Sequence, residues 1–123
     1  VEKAQPMLEA AKNLGGENAH VVLMSVVEDI PTYVATELPG GFIDKAKKNA
    51  HDALSNIARE SALEAEIVVR SGQPSAGILG TAKEKKADAI IIASHQPGLS
   101  DYLLGSTAHR VVRHAKCSVL VLR

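Results

Sequence analysis

Ala89-Ile90-Ile91-Ile92-Ala93, running into Ser94-His95-Gln96-Pro97-Gly98, is the stretch on which the fold turns. The apolar run shows no alternation with polar residues. That is the pattern of a strand covered on both faces, and such strands belong to parallel sheets. Small and turn-forming residues follow it. A second step, Leu103-Leu104-Gly105-Ser106-Thr107, then leads into helical periodicity. A buried strand, a loop and a helix in this order bring backbone N–H groups and hydroxyls to the carboxyl edge of a sheet. Open α/β proteins bind phosphate-bearing ligands at that edge.

Working outward, the same alternation repeats. Residues 1–14 carry Val1, Ala4, Leu8, Ala11 and Leu14 at helical spacing, with Pro6 near the start and Gly15-Gly16 as a stop. His20 to Val27 is rich in β-branched residues and reads as a strand. Glu28 to Gly41 holds two prolines and reads as a long loop, suited to a lid or a partner surface. A helix is expected from Phe42 to Glu60, with Ile43, Ala46, Ala50, Ala53, Leu54 and Ile57 as its buried stripe. Ala65–Arg70 is a strand, Ser71-Gly72-Gln73-Pro74 a turn, and Pro74-Ser75 opens a helix that turns Ile78, Leu79 and Ala82 inward. After the Ala87–Ala93 strand come a helix from about Leu104 to His114 and a final strand over Cys117–Leu122. Alternating helices and strands with right-handed crossovers predict one doubly wound α/β domain with a mainly parallel sheet and helices on both faces. Its opening helix should return from an earlier strand. The chain is therefore expected to be incomplete at its N-terminus, with the first strand missing.

Composition narrows the function classes. Lys plus Arg equals Asp plus Glu, 14 against 14, which argues against a nucleic-acid binder acting through a concentrated basic surface. Phe42, Tyr33 and Tyr102 are the whole aromatic complement, so stacking platforms for single strands are nearly absent. The clusters Lys45, Lys47, Lys48 and Lys83, Lys85, Lys86 read as solvated helix faces. Cys117 is the sole cysteine, read as a buried inert thiol that permits no internal disulfide. No apolar run approaches the length of a membrane span, and the expected compartment is the cytoplasm.

The residues with ligand chemistry are Ser94, Gln96, Gly98, Gly105, Ser106 and Thr107. Glycines allow close backbone approach, and the Gly105-Ser106-Thr107 step offers N–H groups and two hydroxyls to phosphate oxygens. Ordinary helix capping is the plainer reading of that step taken alone. His95 has no acidic partner in its own motif, and His109 and His114 lie off the spacing of a helical metal pair. The G-x-x-x-x-G-K-[ST], G-x-G-x-x-G and G-x-S-x-G motifs are all absent, and no catalytic residue is assigned.

Gly72-Gln73-Pro74, then Ala87 through His95, Tyr102-Leu103-Leu104-Gly105-Ser106-Thr107-Ala108 and Val111 through Val121 together resemble the universal stress protein family. The likeness is close over residues 72–123 and looser over 1–71. It implies a Rossmann-like fold of the adenine nucleotide alpha hydrolase type. The Ser94-His95-Gln96-Pro97 form resembles the small bacterial subgroup of universal stress proteins F and G. The family's nucleotide-binding branch shows G-x-x-G, nine residues, then G-[ST]. Here Ala93 and Gln96 stand at the first two glycines, and eight residues, Pro97 to Leu104, separate Gln96 from Gly105-Ser106.

The resemblance implies an adenine nucleotide (ATP, ADP or AMP) as ligand, with Mg2+ brought by the phosphates. Val26 would contact adenine or ribose. Ala93 and His95 would line the pocket, while Gln96, Gly105, Ser106 and Thr107 would hold ribose and phosphates. The family's adenine-recognising Asp, on its first strand, has no counterpart here. The resemblance also implies a homodimer through the Val119–Leu122 edge strand, and its two-sided apolar character agrees with a strand that seeks a partner. The leading expectation is a dimeric nucleotide-binding sensor or regulator of stress responses. A nucleotide-independent interaction protein on the same fold is the alternative, and a slow nucleotide hydrolase the third reading.

Overall fold

A computed structural model of the chain describes residues 4–16, 18–28, 33, 36–38, 40–93 and 105–122. Among the described residues eight elements alternate: α1 (Ala4–Gly15), β1 (Val21–Glu28), α2 (Phe42–Glu60), β2 (Ala65–Gly72), α3 (Pro74–Lys85), β3 (Ala89–Ala93), α4 (Ser106–His114) and β4 (Ser118–Leu122). The fold is α/β with Rossmann-like topology and parallel strand pairing. The expected earlier strand would precede α1 and lies outside the described residues. So does half of the expected Glu28–Gly41 loop, and Glu28 itself belongs to β1.

The chain divides into two compact units, His20–Gly77 and the combination of Val1–Ala19 with Ile78–Arg123. In the first, β1 and β2 run parallel in register from Val21↔Ala65 to Glu28↔Gly72, and α2 packs against both. The pairing extends β2 to Ser71 and Gly72, two residues expected in a turn. Gly72 has φ +131°, a conformation open to glycine and strained for other residues, and this sharp exit lets α3 begin two residues later.

The α2 stripe is rotated slightly from its expected position. Ala53 is exposed and Ala58 is buried, so the inward face runs through Ala50, Leu54, Ile57 and Ala58. The start of α3 owes its definition to Gln73, whose Oε1 accepts hydrogen bonds from Ala76 N (2.6 Å) and Ser75 Oγ (2.7 Å). Its carbonyl accepts from Gly77 N at 3.0 Å. Gln73 thus caps the helix with its side chain, Pro74 supplies the first helical φ, and the buried Ser75 hydroxyl is satisfied.

In the second unit β3 and β4 pair in parallel, from Ala89↔Ser118 to Ala93↔Leu122. α1 packs against β3 and α4 against β4. Leu8, Ile90, Ala108 and Val111 form its buried apolar core, with Val111 fully enclosed. Leu14, expected inward, is 61% exposed, because the helix ends one residue later and Gly16 turns away at φ +68°. Cys117 is half-buried and free, not fully enclosed.

α2 and α3 end in the same way. After α2, Leu63 N donates to Ala58 O (2.9 Å) and Ala62 N to Arg59 O (3.1 Å). After α3, Ala87 N donates to Ala82 O (2.9 Å) and Lys86 N to Lys83 O (3.2 Å). These are Schellman closures, and they place Ala62 (φ 51°) and Lys86 (φ 54°) in the left-handed region that glycine ordinarily takes. Both side chains are exposed. Ala62→Gly and Lys86→Gly are each expected to stabilise the fold by about 0.5–1 kcal/mol, a rise of roughly 2–6 °C in melting temperature. Calorimetry showing no gain from either would contradict the left-handed assignment.

Candidate functional site

The carboxyl end of β3 is Ala93, half-buried and paired with Leu122 at the end of β4. Because β3 and β4 are parallel, the chain leaving Ala93 must return to the amino end of β4. α4 makes that return. It packs against β4, and residues 115–117 alone separate its last residue from the start of that strand. Nine helical residues span about 14 Å, close to the ~16 Å of a five-residue strand. The N-terminus of α4 therefore sits on the carboxyl side of this strand pair.

That terminus is built from Gly105, Ser106 and Thr107. Gly105 is the N-cap, extended at φ −61° and ψ 155°, and buried. It carries no side chain, and among the described residues no side-chain cap is made at this end of the helix. The first helical bond runs from His109 N to Gly105 O at 2.9 Å. Ser106 is exposed and Thr107 half-buried, while Ala108 and Val111 on the next turn anchor the helix in the core. A terminus with first-turn N–H groups, two hydroxyls, no capping side chain and no acidic residue suits an anion electrostatically.

Of the expected site residues, Ala93, Gly105, Ser106 and Thr107 fall in this unit. Ser94, His95, Gln96 and Gly98 lie outside the described residues. Val26 belongs to the other unit, opposite Arg70 in the β1–β2 register. Its neighbour there is Gly77, where an added Cβ would lie 2.8 Å from Val26 Cγ2 and 3.5 Å from Cγ1. Helix and strand thus approach more closely than any side chain at position 77 would permit.

Sequence reasoning missed this contact and the Gln73 cap. A glycine in mid-helix and a Gln-Pro-Ser helix start were the available signals. Among the described residues, no three His, Cys, Asp or Glu side chains gather as a possible metal set, and no helix is long and apolar enough to cross a membrane.

The universal stress protein family profile matches residues 2–123. The chain belongs to the universal stress protein family. Universal stress protein YxiE of Bacillus subtilis is 32% identical over 130 residues, covering 94% of this chain and 88% of that protein. Universal stress protein G of Escherichia coli O157:H7 reaches 44% identity over 55 residues, 45% of this chain and 39% of that protein. Among solved structures, the hypothetical protein MJ0577, subject of a structure-based assignment of biochemical function, matches with a TM-score of 0.79. Its identity is 25%, over 97% of this chain and 86% of that one. The likeness to YxiE and MJ0577 spans nearly the whole chain, so family and fold rest on more than the C-terminal motif.

Proposed function

We propose that this universal stress protein binds an adenine nucleotide (ATP, ADP or AMP) and acts as a dimeric, cytoplasmic regulator of stress responses. The observation that carries the reading is the start of α4: a buried glycine N-cap with no capping side chain, followed by Ser106 and Thr107, on the carboxyl side of β3. Phosphate oxygens would accept from the first-turn N–H groups and the two hydroxyls, and the positive end of the helix would favour their charge.

The small Ala93 side chain leaves room at the strand end. Ser94, His95, Gln96 and Gly98 complete the proposed loop. No carboxylate belongs to this set, so Mg2+ would arrive with the phosphates. The local identity to universal stress protein G supports placement near the F and G subgroup. Dimerisation through Val119–Leu122 is supported by β4 pairing with β3 alone among the described residues, and by Leu120 remaining 37% exposed.

The alternative, a nucleotide-independent interaction protein, draws support from Ala93 and Gln96 in place of glycines and from the shortened loop. Native mass spectrometry decides between them. The expected result is a dimer that carries, or takes up on addition, one adenine nucleotide per subunit. A protein that stays bare with ATP, ADP and AMP at millimolar concentration overturns the nucleotide reading.

A further inference from the structure

Within the His20–Gly77 unit, a groove of about 550 Å³ runs between α2 and β2. Lys47, Lys48 and His51 line it from the helix, and the four consecutive residues 67–70, ending in Arg70, line it from the strand. Successive strand residues point to opposite faces, so four in a row bordering one groove place it along the edge of β2, not over a face. Among the described residues β2 pairs with β1 alone, and the groove follows its other edge.

Among the described residues, no carboxylate lines the groove. Among the described residues Lys47, Lys48 and Asp44 make no ion pair, and the neighbouring Glu66 is engaged by His20 at 3.2 Å. The lysines expected on a plain solvated helix face thus stand beside an arginine from another element, along an edge of β2 that no described strand pairs.

We infer that this edge binds an extended peptide segment carrying carboxylates at alternate positions, added to β2 as a further strand. The backbone of the segment pairs with the β2 edge, and its acidic side chains meet Lys47, Lys48 and His51. The spacing fits. Positions 47 and 51 on the helix are separated by about 6 Å of rise, and alternate residues of a strand by about 6.6 Å. An alternating segment therefore presents successive carboxylates to successive turns of α2. Peptide binding at this edge does not depend on nucleotide binding.

The test is fluorescence anisotropy with a labelled peptide of about eight residues that alternates glutamate and valine. Binding is expected at low salt, weakening as salt rises, and absent for the peptide with glutamine in place of glutamate. Lys47→Glu with Lys48→Glu should lower affinity at least about tenfold, and the milder Lys47→Gln with Lys48→Gln should lower it less. Circular dichroism confirms that both variants fold. N-methylation of the peptide backbone at one set of alternate positions should abolish binding, and at the other set should leave it unchanged. Equal binding by both methylated peptides would reduce the interaction to charge alone and overturn strand addition. Undiminished binding by the folded lysine variants, or preference for tripolyphosphate or a single-stranded oligonucleotide, would also overturn it.

Discussion

Gly105→Asp is expected to lower adenine-nucleotide affinity at least about 100-fold while leaving α4 as stable as before, or more so. The two effects separate because they act on the same donors in opposite ways. Aspartate is among the best N-cap residues, and its carboxylate accepts from first-turn N–H groups that Gly105 leaves without a capping side chain. The helix gains a cap, and a phosphate meets a negative charge where it would otherwise meet donors.

Gly105→Ala separates charge from bulk, since a methyl group neither caps nor repels and should weaken binding less. Isothermal titration with ATP, paired with thermal melting, reads both quantities. Nucleotide binding by a folded Gly105→Asp protein at the parent affinity would remove the α4 terminus from the site. A variant that loses binding through unfolding would show itself in the melt.

The second large effect is expected at position 77. Gly77→Ala puts a methyl carbon 2.8 Å from Val26 Cγ2, well inside ordinary carbon contact, with Val26 fixed in a paired strand. Overpacking of this kind costs about 1–3 kcal/mol. Val26→Ala removes the two methyl groups concerned and has its own cost in lost burial. In the double variant the new methyl occupies the vacated space. Urea denaturation should therefore show Val26→Ala/Gly77→Ala to be more stable than Gly77→Ala alone, with a coupling energy of about 1 kcal/mol or more. Strict additivity would mean that helix and strand do not meet at this pair.

How far the fold could be read before the structure varies from element to element, for physical reasons. Phe42–Glu60 came out with both ends as read, because nineteen residues of periodic apolar spacing leave little freedom. Turn chemistry at Ser71 and Gly72 ends the expected strand at Arg70, whereas eight consecutive pairs with β1 hold both residues in the ladder. Local preference yielded there to strand pairing, as it often does in sheets. Ala53 and Ala58 exchanged roles because alanine is tolerated on either face of a helix, and periodicity alone places the stripe only to within a residue.

For the proposed site, Gly105-Ser106-Thr107 was legible as a helix start because N-cap chemistry is local. The basic groove was not. Lys47, Lys48 and His51 are separated from Arg70 by about twenty residues of chain, and only the packing of α2 on β2 brings them together.

The two Schellman closures also have a kinetic side. Residues 61–64 connect α2 to β2, and residues 86–88 connect α3 to β3. Reversals this short close on the submicrosecond scale of small loops, long before distant strands find one another. The β1–β2 ladder, by contrast, joins Val21 to Ala65 across the whole of α2, and its loop closure carries the larger entropic cost. Each helix and the strand after it can therefore behave as a preformed corner, leaving strand meeting strand as the slow step in folding. Ala62 and Lys86, held left-handed at those corners, sit where a change in backbone freedom acts on the folding rate more than on the rate of unfolding.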